Sequence, residues 1–137
     1  MIIVDTSALL AMHDPRDKHH KKLGEIALKK KHELIISPYV VAEFDYMLSR
    51  ANSPELSLMA LNNLLTSPFE LVQLTTEDFV TATKVIQKYQ DLKIGITDAS
   101  LIALASRFET NKVMTLDRRH FGVMKTISGK HLQIIPD

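Results

Sequence analysis

The chain has 137 residues and no cysteine; 45% of its residues are hydrophobic, 24% are charged, and its formal net charge is +1. These values are typical of an ordinary globular protein and exclude disordered, collagen-like and disulfide-stapled classes. We therefore expect a single domain over residues 1–137, in which any metal site uses histidine or carboxylate ligands.

The first predicted element is a strand. The apolar run "IIV" at 2–4 ends at once on Asp5. A continuous β-rich run of this kind predicts a strand of a parallel sheet that is covered on both faces. No basic leader precedes it, and no later apolar stretch reaches the roughly 20 residues that cross a bilayer. We expect a cytoplasmic protein with no membrane partner.

The next segment is basic. Residues 16–31 carry seven Lys or Arg side chains against two acids, and their apolar spacing predicts a helix over 17–30. Five more basic residues lie from Lys112 onward, so a small net charge does not exclude a polyanionic partner. For the run of lysines at 29–31, we favour a solvated helix face over contact with nucleic acid.

Strands and helices alternate through the rest of the chain. In order, the sequence predicts a strand at 33–37, a helix from Ser37 and Pro38 to about residue 49, a helix opened by Ser53 and Pro54, a strand at 69–74, a helix from Thr76 to about Gln90, a helix capped by Thr97, a strand at 112–116 and a candidate fifth strand at 131–136. This alternation predicts one α/β domain, with a mainly parallel central sheet flanked by helices.

Four carboxylates occupy informative places in this pattern. Asp5 and Asp117 follow the first and fourth strands, so both point into the crevice beyond the sheet if those strands are neighbours. Asp98 lies in the first turn of a helix. Taken singly, these three acids can be explained as a helix cap, a turn residue and a helix-dipole partner. Glu43 lies in the apolar run "YVVAEF", where an unpartnered carboxylate is uncommon.

Taken together, the four acids indicate a metal site. Carboxylates that converge in one cleft repel each other and are tolerated chiefly where a cation neutralises them. Oxygen ligands suit Mg²⁺ or Mn²⁺. Such a site favours phosphodiester chemistry, because the metal lowers the pKa of a bound water and stabilises the charge of the transition state.

Four stretches of the chain resemble a known family. They are "IIVDTSALLA" at the start, "SPYVVAEFDYML" at 37–48, "GITDASLIALASRF" at 95–108 and "VMTLDRRHF" at 113–121. In this order they resemble the PIN-domain ribonucleases, and specifically the VapC toxins of VapBC toxin–antitoxin systems. The resemblance spans essentially the whole chain. It implies an endoribonuclease that cleaves structured RNA such as tRNA or a loop of ribosomal RNA, a cognate VapB antitoxin that covers its groove, and a toxin homodimer.

The resemblance also implies roles for the four acids. Asp5 and Asp98 match the positions expected to bind Mg²⁺ (or Mn²⁺) directly. Glu43 and Asp117 match positions that complete the shell, through water or a second metal. All four are therefore expected to be catalytic.

Hydroxyl side chains are expected to support these acids. Thr6 or Ser7 matches a hydroxyl position after the first aspartate, where it is expected to hold Asp5 or a bound water. Thr115 is expected to do the same beside Asp117.

Basic side chains are candidates for holding RNA near the acids. Arg118 and Arg119 directly follow Asp117, and Arg can contact phosphate bidentately. Further candidates on the early helix are Lys18, Lys21 and Lys22. The histidines His13, His19, His20 and His120 suggest a metal site or a general base, but no pair has zinc-motif spacing.

A candidate antitoxin surface lies at 56–65, "LSLMALNNLL", which has more Leu and Met than one buried helix face requires. Core packing is the simpler use of that excess, and docking of an antitoxin helix is the alternative.

Two other functions remain open. An aspartyl phosphatase also places Asp at the end of its first strand, but such enzymes carry a second Asp two positions later, where this chain has Ser7. A non-catalytic RNA-binding or antitoxin-binding module of the same fold is the other alternative, and the intact set of four acids argues against it.

Overall fold

A five-stranded sheet forms the centre of the computed structural model, which describes residues 1–66 and 68–137. Its strands are β1 (Ile2–Val4), β2 (Leu34–Ile36), β3 (Phe69–Leu71), β4 (Lys112–Met114) and β5 (Gln133–Ile135). They lie in the order β3-β2-β1-β4-β5, and every neighbouring pair is parallel. The predicted fifth strand is therefore present, and the α/β class with a parallel sheet is confirmed.

Seven α-helices connect the strands. They are α1 (Thr6–His13), α2 (His20–Lys29), α3 (Pro38–Ser49), α4 (Pro54–Leu65), α5 (Thr76–Lys88), α6 (Ile96–Arg107) and α7 (Arg118–Phe121), with a 3₁₀ turn at Gln90–Leu92. In the described ranges, no helix has both the length and the apolar character needed to cross a membrane.

The core is built around β1 and α6. All three residues of β1 are buried, as expected for a central strand with both faces covered. Helix α6 has seven consecutive buried residues, from Ala99 to Ala105, because it is apolar on nearly every side. The strand and the helix that carry Asp5 and Asp98 are therefore rigid parts of the molecule.

Some predicted boundaries were wrong. Strand β3 ends at Leu71 instead of residue 74. One further hydrogen bond joins the Val72 N–H to the Ile36 carbonyl, and beyond it the chain leaves the sheet. Helix α6 is capped by Gly95 and not by Thr97, because the Ala99 N–H already donates to the Gly95 carbonyl.

The pairing of β1 with β4 positions the site. Ile3 lies opposite Val113 and Val4 lies opposite Met114, and the Asp5 N–H then donates to the Met114 carbonyl at 2.9 Å. The carboxyl ends of the two strands are therefore adjacent, as the placement of Asp5 and Asp117 requires.

Candidate metal centre

Asp5 is held by two hydroxyl groups. It occupies the N-cap position of α1, but its side chain makes no capping hydrogen bond, so the capping interpretation is wrong. Its Oδ2 instead accepts hydrogen bonds from Ser7 Oγ at 2.8 Å and Thr115 Oγ1 at 2.7 Å. Ser7 Oγ also accepts from the Leu116 N–H at 2.9 Å. The carboxylate is thus fixed and almost fully buried, with 4% of Asp5 exposed.

The two adjacent hydroxyls play different parts. Ser7 supports Asp5, whereas the buried Thr6 hydroxyl has no hydrogen-bond partner in the described part of the chain. Thr115 connects two acids, because its Oγ1 donates to Asp5 and accepts from the Asp117 N–H at 2.9 Å.

The negative charges of the other three acids all act on Asp98. Burial is the first cause that raises the pKa of Asp98, from 3.8 to about 6, and the charge of Asp5 is the second. His120 opposes the shift, while Glu43 and Asp117 add to it. The structure therefore brings three of the predicted acids near the fourth, the half-buried Asp98.

Glu43 reaches this region from α3. Ser37 caps that helix by accepting from the Tyr39 N–H, and its Oγ lies 3.4 Å from Ser100 Oγ on α6. The buried Phe44 anchors the neighbouring position in the core. Glu43 itself is half-buried, and its charge is among those that raise the pKa of Asp98.

His120 was considered from the sequence as one of four histidines that suggest a metal site or a general base, but it was not placed with the acids. Its Nδ1 lies 3.2 Å from Asp117 Oδ2 and 3.3 Å from Asp98 Oδ2. It arrives there because Asp117 caps α7 by accepting from the His120 N–H at 3.1 Å. The available signal was the spacing of three residues after Asp117, which places both side chains on one side of a helical turn.

A divalent cation fits this donor set. One ligand atom each from Asp98, Asp117 and His120 lie within 4.8 Å of one another. A cation there would relieve the repulsion that raises the pKa of Asp98. Asp5 and Glu43 do not belong to this tight group, although both act on Asp98 through their charge.

Two predicted RNA-contact residues share a cavity beside the centre. Arg118, Lys22 and His19 line a space of about 280 Å³ that also touches Thr115. Arg118 is oriented by donating through Nη2 to the Pro136 carbonyl at 2.7 Å. Cationic groups from α2 and α7 therefore meet next to the residue that supports Asp5.

A second cavity, of about 350 Å³, lies against His120. Its lining comprises Asp91, Leu92, Lys93, Arg119 and His120. Arg119 was predicted as an RNA contact, and Lys93 was not. The remaining candidates, Lys18 and Lys21, are exposed but line neither cavity.

The other predicted features fall outside the centre. His13 and His20 each bond a backbone carbonyl through Nδ1, and His19 bonds Asp17. The lysines at 29–31 are exposed, and Lys30 forms a surface ion pair, which agrees with a solvated face.

Helix α4 exposes much of its apolar surface. Ser57, Ala60 and Leu64 are buried, but four large side chains on the same helix are more than half exposed: Leu56, Leu58, Met59 and Leu65. Core packing was therefore the wrong interpretation for these four, which we call the α4 apolar surface.

Known proteins match both the sequence and the fold. The family model for the PIN domain matches residues 2–125. Ribonuclease VapC26 of Mycobacterium tuberculosis is 38% identical over 135 residues, which are 98% of this chain and 100% of that protein.

Solved structures give the same fold at low identity. VapC20 of M. tuberculosis, described as a sarcin–ricin loop cleaving toxin, superposes with a TM-score of 0.77 at 18% identity over 86% of this chain and 91% of its own. VapBC2 of Rickettsia felis, bound to a DNA fragment from its promoter, gives 0.76 at 16% identity over 98% of both chains.

Proposed function

The chain belongs to the PIN domain family, and from this premise we propose that it is the toxin of a VapBC-type pair, an endoribonuclease that cleaves structured RNA with a divalent cation. The observation that carries the proposal is the convergence of Asp5, Glu43 and Asp117 on Asp98. Asp98, with a pKa raised by burial and by these neighbouring charges, lies with Asp117 and His120 in a group of ligand atoms suited to holding a cation against a phosphodiester.

The four acids would contribute to a site for Mg²⁺ or Mn²⁺ in different ways. Asp98 and Asp117 face each other closely enough to share an ion, while Asp5 is fixed by its two hydroxyl donors and Glu43 approaches from α3. A bound cation supplies a polarised water and neutralises charge on the phosphate. In phosphodiester hydrolysis the water oxygen would bond to phosphorus as the bond to the leaving sugar oxygen breaks, and the proton lost by the water would be balanced by the one that the leaving oxygen gains.

The cavities beside the centre support an RNA substrate. Arg118 and Lys22 in one cavity, and Arg119 and Lys93 in the other, are suited to phosphates on the chain that leads to the scissile bond. The substrate class we propose is a folded RNA with an accessible loop, such as a tRNA or an rRNA loop. The sarcin–ricin loop activity described for VapC20 is consistent with that class.

The α4 apolar surface supports a protein partner. Leu58 and Leu65, seven positions apart, lie on one side of α4 and are suited to the apolar face of another helix. We propose that a VapB-like antitoxin occupies this surface. VapBC assemblies are among the structural neighbours. We further propose that the toxin forms a homodimer and acts in the cytoplasm.

The test is to map RNA ends. Purified protein freed of antitoxin is incubated with total bacterial RNA, with and without Mg²⁺ or Mn²⁺, and Asp98→Asn serves as the control. We expect discrete metal-dependent ends that are absent from the control. If RNA is bound but never cut under any metal condition, the chain is a non-catalytic binding module and the proposed function is wrong.

A further inference from the structure

The imidazole of His120 is oriented in an unusual way for a hydrogen-bonding group. Its Nδ1 is shielded from solvent and has no hydrogen-bond partner in the described ranges, although two carboxylate oxygens lie 3.2 and 3.3 Å away. Neither oxygen is aligned with the ring N–H direction. The nitrogen therefore lies close to both Asp98 and Asp117 without donating a hydrogen bond to either.

These separations suit three ligands of one cation. Ligand atoms in neighbouring positions around an ion, at bond lengths of about 2.1 Å, lie about 3 Å apart. The distances from Nδ1 to the Asp98 and Asp117 oxygens are close to that value. One ligand atom from each of the three residues also fits within a single 4.8 Å group.

Local contacts of α7 hold this arrangement in place. Asp117 uses Oδ1 to accept the His120 N–H, and this leaves Oδ2 facing the imidazole. The next residue, Phe121, is buried in the core with 1% exposed. Helix α7 is thereby fixed at both its cap and its apolar anchor, so the imidazole is positioned in advance.

We propose that His120 supplies Nδ1 as a direct ligand to the cation held by Asp98 and Asp117, and that the site therefore selects Mn²⁺ over Mg²⁺. This inference rests on the proposed metal-dependent function. A nitrogen ligand disfavours Mg²⁺, because Mg²⁺ is a hard cation that binds through carboxylate and water oxygens and gives up its waters reluctantly. The ring proton then resides on Nε2.

The rival explanation is that His120 is a charged counter-ion. A protonated imidazole would neutralise Asp98 and Asp117 in place of a metal and would move aside when a cation binds. The two explanations differ in whether nitrogen is bonded to the ion, which a spectroscopic measurement detects directly.

The experiment uses antitoxin-free protein loaded with Mn²⁺ and examined by pulsed electron paramagnetic resonance. We expect the wild type to show the nitrogen modulation of a directly bound imidazole. His120→Asn should lose it, and His131→Asn, a change at an exposed histidine, should keep it. In titrations, His120→Asn should weaken Mn²⁺ binding about tenfold and change Mg²⁺ binding less than about twofold.

The wild-type spectrum decides the matter even if a variant folds poorly. Bound Mn²⁺ without imidazole coupling overturns the role of His120 and leaves the metal-dependent function standing. Failure of both Mn²⁺ and Mg²⁺ to bind overturns the ligand role and the metal-dependent function together.

Discussion

At the scale of single residues, three carboxylates and one imidazole surround Asp98 and set how the metal-free protein responds to pH. Asp98 has a pKa of about 6 in the folded chain against 3.8 as the ordinary value, mainly because of burial. The folded state therefore binds this proton more tightly than the unfolded state does. The free energy of unfolding contributed by Asp98 falls as pH rises from below 4 to above 6.

We predict that Asp98→Asn stabilises the metal-free protein at neutral pH. The substitution removes a repelled, half-buried charge, so the free energy of unfolding should rise by about 1 to 3 kcal/mol near pH 7.5. Near pH 4, where the wild-type carboxyl is already largely protonated, the gain should nearly vanish. Urea unfolding with a chelator at both pH values measures this, and equal or lower stability of the variant at the higher pH contradicts it.

The two adjacent hydroxyls allow a matched comparison. Ser7→Ala removes a donor to Asp5 and the acceptor of the Leu116 N–H, so stability should fall by about 1 to 3 kcal/mol, and RNA cleavage should fall with it. Thr6→Val removes a buried hydroxyl that has no partner among the described residues, so stability should be unchanged or higher. Urea unfolding of both variants gives the ranking, and the reverse order would refute the assignment of Ser7 as the support.

At the scale of elements, α6 is tied to α5 at the end opposite to the site. Asp78 accepts from the Thr75 N–H at 2.9 Å in a capping box and also pairs with Arg107 at the end of α6. Arg107 additionally donates to the Gln73 carbonyl at 2.9 Å. Asp78 is 7% exposed, so its own contacts are largely shielded from water, whereas the bond from Arg107 to Gln73 is exposed. The helix that presents Asp98 is thus restrained at both ends.

We expect Asp78→Ala to lower the free energy of unfolding by about 2 to 3 kcal/mol, because it removes a helix cap and leaves Arg107 without its partner. The matched control is Glu77→Ala, an exposed acid in the same helical turn, whose effect should stay within about 0.5 kcal/mol. Chemical denaturation of the two variants tests the difference, and effects of equal size would show that Asp78 contributes only to the helix dipole.

Much of the site could be predicted from the sequence, because functional groups of parallel sheets lie at the carboxyl ends of the strands. The pairing of β1 with β4 confirmed that Asp5 and the segment leading to Asp117 are neighbours. His120 was a candidate from the sequence but could not be placed beside the acids, because α7 has four residues, too few for a periodic pattern. The choice between Thr6 and Ser7 was out of reach because it depends on which hydroxyl meets Thr115, more than a hundred positions away.

At the scale of the whole molecule, the net charge is close to zero, yet basic side chains line two cavities beside the acidic centre, and we call them the cationic path. Lys22 and Lys29 offer a test of that path, because both are exposed lysines on α2 but only Lys22 lines the cavity next to Thr115. Removing the positive charge at one position or at the other should therefore have different effects on RNA binding.

We predict that Lys22→Ala lowers the salt dependence of RNA binding and that Lys29→Ala does not. Loss of one phosphate contact should reduce the slope of log K against log salt by about 0.7. The measurement is fluorescence anisotropy with a labelled tRNA, with both changes made in the Asp98→Asn background so that the RNA stays intact. Equal slopes for the two variants would place the RNA elsewhere.

The bond between Thr115 and Asp5 joins residues that are 110 positions apart, and His120 lies later still. On a translating ribosome, β1 emerges early and receives β4 as its neighbour only near the end of synthesis. A nascent chain interrupted before that point has Asp5 and Glu43 but lacks Asp117, so it has no assembled centre. A product that ends before β4 is therefore expected to lack ribonuclease activity.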